Sequence, residues 1–145
     1  MTKQSEIIRV ARSWIGTPFH HQGRVKRTPD NKGGCDCLGL VVGVANEVGI
    51  DSITSNDRND YAKNPNGEQL YGEMGRCLKE IPINDMSAGD IALFRFDKDP
   101  QHVGIISEKD GVASIIHCYL QARGVVEHSF DKYWKERLVA AFRVC

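Results

Sequence analysis

The chain has 145 residues, enough for one ordinary domain and too few for two of usual size. Its 19 basic and 19 acidic residues cancel, and no long block of one sign occurs, which excludes a general electrostatic grip on nucleic acid or an anionic membrane. No run reaches the roughly 18–20 apolar residues of a membrane span. Residues 1–14 also lack the uninterrupted apolar core of a secretory signal, so the sequence predicts synthesis in the cytoplasm without membrane insertion.

In chain order, Ile7, Val10, Ala11 and Trp14 fall on one helical face, which predicts a helix over residues 5–15 that Gly16-Thr17-Pro18 ends. Residues 19–34 are polar, carry glycine and proline, and read as a loop, with Arg24, Lys26 and Arg27 as a solvated basic stretch. A second helix is predicted from Cys37 to Val48 through Leu40, Val41 and Val44, stopped by Gly49. Gly39 and Gly43 weaken it intrinsically but permit close packing against a sheet. Residues 51–66 are polar and lead into the turn Asn64-Pro65-Asn66-Gly67, after which a third helix is predicted over Glu68–Leu78. Ser87-Ala88-Gly89-Asp90 is a turn that launches a strand over Ile91–Phe96. Strands over Val103–Ser107, Val112–Cys118, Gly124–Ser129 and Leu138–Phe142 follow. His128, Tyr133 and Trp134 read as sheet edge and closing structure. Helices first and short strands last predict a single α+β domain over residues 1–145, its helices packed on an antiparallel sheet.

Five cysteines stand at positions 35, 37, 77, 118 and 145, an odd number that leaves one thiol over in any full disulfide framework. Zinc spacing of the C-x-x-C kind is absent, and His20-His21 has no carboxylate or cysteine set at ligand spacing, so no metal is expected. Cys37 lies where loop becomes helix. The unpaired N–H groups of a first helical turn favour a thiolate, and can hold the oxyanion formed when a thiolate attacks a carbonyl. A small apolar residue packed under a sheet fits the local sequence as well. His102 opens a strand and can accept a thiol proton. A turn near Lys109-Asp110-Gly111 brings His117 beside it, where a second imidazole can hold the first through an Nδ1 hydrogen bond. Cys77 and Cys118 read as buried, and Cys35 as a neighbour of the reactive position.

Four motifs in order carry a resemblance: Ala11-Arg12-Ser13-Trp14-Ile15-Gly16-Thr17-Pro18-Phe19, Asp36-Cys37-Leu38-Gly39-Leu40-Val41, Ala88-Gly89-Asp90-Ile91-Ala92-Leu93-Phe94, and His102-Val103-Gly104-Ile105-Ile106 with Ile116-His117. Across about residues 5–120 the chain resembles the NlpC/p60 family, bacterial and phage cell-wall cysteine peptidases with a stripped-down papain-like fold. The stretch Thr17-Pro18-Phe19-His20-His21-Gln22-Gly23-Arg24, followed by Cys35-Asp36-Cys37-Leu38-Gly39-Leu40, resembles that of single-domain members encoded with phage-tail and gene-transfer-agent genes. The resemblance implies Cys37 as nucleophile, His102 as base and His117 as the polar third residue. It implies peptidoglycan stem peptides as substrate, cut between D-γ-glutamate and diaminopimelate or lysine through a thioester, with no cofactor. Phage-like tail proteins are the implied partners, and a virion, tail or lysis the implied route to the cell wall. It also implies that Asp36 helps to bind the substrate's free amine. The family commonly has tyrosine where Phe19 stands and serine where Leu38 stands, so these positions are expected at the substrate's amine end without their hydroxyls. Arg24, placed by its loop, is expected at the cleft mouth facing a substrate carboxylate. Two other functions stay open: a papain-like amidase or acyltransferase on a lipid or small-molecule amide, and a non-catalytic component of a tail tip.

Overall fold

The N-terminal helix forms over Lys3–Ser13 (α1), capped by the side chain of Thr2 on the N–H of Ser5, and it buries Ile7, Val10 and Ala11. This computed structural model describes residues 2–55, 72, 74–76, 78–96 and 100–144. The segment expected to be pure loop contains a short antiparallel pair, β1 (Arg24–Val25) with β2 (Gly34–Cys35). Helix α2 spans Cys37–Val48 and ends at Gly49, whose φ of 88° is the left-handed C-cap that favours glycine. A single turn, α3, follows at Asp51–Thr54. Of the helix expected over Glu68–Leu78, Gly72 and Met74–Arg76 are helical, and the remainder falls largely outside the described residues.

The second half builds a sheet from β3 (Lys79–Ile81), β4 (Ile91–Arg95), β5 (Pro100–Lys109), β6 (Val112–Tyr119), β7 (Gly124–Ser129) and β8 (Leu138–Arg143). Among the described residues its order is β3-β8-β4-β5-β6-β7, with every pairing antiparallel. Asp110 and Gly111 join β5 to β6 with φ of 55° and 79°, the two positive angles that a two-residue hairpin needs to match strand twist. A short helix, α4 (Lys132–Arg137), crosses back before β8, capped by Asp131 on the N–H of Trp134.

Alternation along the strands divides the core in two. Ile91, Leu93, Val103, Ile105, Ile116, Cys118, Ala140 and Phe142 face α1 and α2, where Ile7, Val10, Trp14, Leu40, Val41 and Val44 meet them. Ala92, Phe94, Ile106 and Ile115 face the other way, toward Phe130 and Trp134. Gly43 serves the helix pair rather than the sheet: a methyl there would run into the indole of Trp14. The segment between α1 and β1 is stitched to both ends of the fold. Gly16 N–H donates to Val125 O and Val125 N–H to Thr17 O, while Cys35 N–H donates to Pro18 O. Gly124 allows this approach, since a Cβ there would stand 2.5 Å from Thr17 O.

Candidate active site

Cys37 is the first residue of α2 and is half-buried. Asp36 caps the helix: its Oδ1 accepts from Gly39 N–H at 2.7 Å and its Oδ2 from Gln22 N–H at 2.9 Å. Arg24 Nη1 reaches the same carboxylate at 3.3 Å and also donates to the carbonyl of Gly23 at 3.1 Å. Gly39 is required at this corner, because a side chain would collide with the backbone carbonyl of Gly23. The cap therefore fixes the N-terminus of α2 against the β1 loop, and the thiol is carried at a defined place on a rigid element.

His102 and His117 come from the two strands of one hairpin. The ladder between β5 and β6 runs from Lys109↔Val112 to Ile105↔Ile116 and stops there, while β5 continues to pair with β4 through Phe94↔His102. The hairpin register sets His117 across from Gly104, and a Cβ on Gly104 would touch the Cβ of His117. His102 thus meets His117 diagonally, Nε2 to Nδ1 at 2.7 Å. The Nδ1 in this bond belongs to His117, and His102 contributes its Nε2. Both rings are buried, 2% and 0% exposed. They sit among Phe94, Phe96, Tyr119 and Trp134, with ring centroids 4.5–6.0 Å away. The backbone N–H of Val103, the residue after His102 at the end of the hairpin where the ladder has opened, acts on the Cys37 thiol in the sense that favours its charged form.

Apolar surroundings set the resting charge state. Desolvation pushes the Cys37 thiol up to about 12, aided by the negative charge of Asp36 and only partly countered by the N–H groups of Val103 and Leu38. Burial lowers His102 to about 3 and holds His117 further below the usual imidazole range, with repulsion from His102 and His128 adding to it. The helix amides expected to produce a thiolate are thus outweighed by desolvation, and the resting pair is neutral thiol and neutral imidazole.

The sequence profile of the NlpC/P60 family matches residues 16–143. The chain belongs to the NlpC/P60 family. Its fold is similar to that of an NlpC/P60 family protein from Bacillus cereus ATCC 10987 (TM-score 0.67, 19% identity, 97% of this chain and 40% of that one). It is also similar to the NlpC/p60 domain of peptidoglycan hydrolase SagA (0.61, 19%, 96% and 97%) and to NlpC1 from Trichomonas vaginalis (0.62, 20%, 97% and 43%). The chain spans about two-fifths of the first and the last of these proteins. No curated protein sequence matches it.

On this NlpC/P60 fold the remaining predicted residues divide. Phe19 and Leu38 are partly buried and pack against the aliphatic core. Arg24 is committed to Asp36, whose carboxylate also accepts from the N–H groups of Gly39 and Gln22. Cys35 and Cys118 are buried, and the Cys118 thiol donates to the carbonyl of Cys35 at 3.1 Å. Cys77 and Cys145 lie outside the described residues. Among the described residues no group of histidine, cysteine and carboxylate side chains is arranged to hold a metal. His128 and Trp134, expected as sheet edge and closing structure, lie on the edge strand and the closing helix and also meet His117, a contact that was not expected. His128 Nε2 is 2.8 Å from His117 Nε2, and the Trp134 ring stands edge-on over His117 at 4.7 Å. Strand parity carried the first signal, because pairing His117 with Val126 puts residue 128 on the same face. Asp131 before a Lys132–Glu136 pair at i,i+4 carried the second.

Proposed function

We propose that this chain is a cysteine peptidase of peptidoglycan stem peptides, cutting after D-γ-glutamate, with Cys37 as nucleophile, His102 as base and His117 as the group that holds the base. The observation that carries this reading is the opened end of the β5–β6 hairpin. There the N–H next to a buried imidazole acts on a thiol carried at the start of α2, and that imidazole is tied at 2.7 Å to a second. The likeness to the NlpC/p60 domain of SagA, a peptidoglycan hydrolase, supports the substrate class.

Because the resting pair is neutral, proton transfer and attack occur together. Cys37 Sγ bonds to the scissile carbonyl carbon as its proton passes to Nδ1 of His102. The carbonyl oxygen takes the negative charge, facing the backbone N–H of Cys37 at the start of α2. Collapse breaks the carbon–nitrogen bond, His102 returns the proton to the leaving amine, and a thioester remains on Cys37. Water, deprotonated by His102, then releases the acid and the free thiol. In the apolar site the imidazolium is costly, and its bond to His117 offsets part of that cost.

Digestion of purified peptidoglycan sacculi tests the reading. The expected result is new free amines and fragments ending in D-γ-glutamate by mass spectrometry, lost in Cys37→Ala. Intact sacculi after long incubation with the unaltered protein would overturn it. A second reading, hydrolysis of amides with apolar tails, draws on Phe96, which is 40% exposed and 5.4 Å from His102. N-acyl p-nitroanilides of increasing acyl length separate the two, since only the second predicts rates that rise with length.

A further inference from the structure

Three imidazoles stand in a row and end on a backbone carbonyl. His102 Nε2 meets His117 Nδ1 at 2.7 Å, His117 Nε2 meets His128 Nε2 at 2.8 Å, and His128 Nδ1 meets Ser129 O at 2.9 Å. The nitrogens face one another pairwise and do not converge on a common point, which is the geometry of a hydrogen-bonded chain. A carbonyl only accepts, so Nδ1 of His128 carries a hydrogen. A neutral His128 then accepts at Nε2, so His117 carries its hydrogen on Nε2 and accepts at Nδ1. His102 must in turn donate from Nε2. Its Nδ1 is left with a lone pair.

We propose that His128 is a positioning residue: through it the carbonyl of Ser129 sets the tautomers of all three rings and leaves Nδ1 of His102 ready for the thiol proton, and one proton added to His128 reverses the chain. The role of that lone pair rests on the reaction proposed above; the ordering of the rings does not. With both nitrogens protonated, His128 donates from Nε2, and His117 has to accept there. His117 keeps one hydrogen but carries it on Nδ1, His102 likewise, and the added proton stays on His128. Nδ1 of His102 is then blocked.

His128 is half-buried on β7, at the end of the sheet order, and is the ring of the three within reach of solvent, whereas His102 and His117 are buried. Among the described residues, the groups facing His128 are His117 from β6 and, from α4, the uncharged ring of Trp134 at 6.0 Å. Glu127 on the same strand turns to the opposite face, where Arg12 and Ser107 hold it. Tyr119 stacks on His117 at 4.5 Å, and Asp131 and Tyr133 act on Tyr119.

The test uses the full chain labelled with ¹⁵N-histidine, as the Cys37→Ala variant, observed by NMR between pH 8 and pH 5. At pH 8 the expected protonated nitrogens are Nε2 of His102, Nε2 of His117 and Nδ1 of His128. On acidification His128 gains a second hydrogen, and the other two rings move theirs to Nδ1. A hydrogen on Nδ1 of His102 at pH 8, or titration of His128 without a change in the other rings, would overturn the proposal. Alkylation of Cys37 by iodoacetamide gives a second readout. His128→Leu should slow it about tenfold at neutral pH, and His128→Gln, which restores an acceptor that takes no proton, should recover most of that loss with a flattened acid limb. An acid limb unchanged in His128→Gln would count against the proposal. An ordered chain in a protein that leaves sacculi intact would sink the peptidase reading alone.

Discussion

The two faces of the sheet are built on different terms. One is covered by α1 and α2 through aliphatic side chains, and a polar group near it, such as Glu127 held by Arg12 and Ser107, is fully partnered. The other carries Phe94, His102, His117, Tyr119 and His128 under a six-residue helix. Apolar burial on the first face holds the fold. Burial on the second holds His102 and His117 below the pH range in which an imidazole in water takes up its second proton. Cys37 belongs to the first face by its helix and meets the second where β5 and β6 part. The difference teaches that stability and chemistry are separable here, except at that meeting point.

The sharpest way to break the comparison is to change the ring face and look for damage to the fold. His102→Asn is expected to lower release of free amines from sacculi by roughly 10²–10⁴-fold. Thermal unfolding should shift little, because Asn keeps a hydrogen-bonding group beside His117. A collapse of thermal stability would show that the rings hold the fold as much as the aliphatic side does. On the other face, Leu40→Ala removes a fully buried side chain and should cost about 2–5 kcal/mol in denaturant unfolding.

Of intermediate size is an acid effect that belongs to the ring face alone. His102 binds its proton only near pH 3 when folded, but near 6.5 when unfolded. Below about pH 6.5 the unfolded chain therefore takes up protons that the folded chain refuses, and stability falls as pH drops toward 3. His102→Asn should flatten that slope, and equal slopes in the two proteins would rule out His102 as its source. Smaller still, Gly43→Ala forces a methyl against Trp14, whose indole is pinned to Glu47 at 2.7 Å. The overpacking, about 1–3 kcal/mol, exceeds the ~1 kcal/mol gained in helix propensity, so chemical denaturation should report net loss. The exposed Lys132–Glu136 pair sets the floor: Glu136→Gln should change stability by about 0.5 kcal/mol or less.

Much of this could be read before any coordinates. Cys37–Val48 was visible because an apolar stripe and a terminal glycine agree on its course, whereas the Asp36 cap emerged only with the structure. The β5–β6 hairpin was visible because Asp110-Gly111 is one of the few pairs that its turn favours. The strands β1 and β2 were not, since two residues each give no alternation to detect, and their pairing depends on Pro18 and His20 binding Cys35 from outside. Nor was α4, whose six residues are too few for a periodic stripe. Cys37, His102 and His117 stood out because each lies in a motif, whereas His128 matters only through a diagonal contact between strands. The charge state was not legible at all: a helix N-terminus argues for a thiolate, and only the packed surroundings show that desolvation wins.

The ties between Gly16, Thr17 and Val125 also bear on when the molecule can act. The thiol is delivered by the first third of the chain and the imidazoles by the last, with Pro18 and Cys35 joined in the strap between them. A ribosome-bound chain that has not yet released residue 125 lacks the anchor for that strap, so Cys37 is not yet held in place relative to the strands of His102 and His117 while translation is under way.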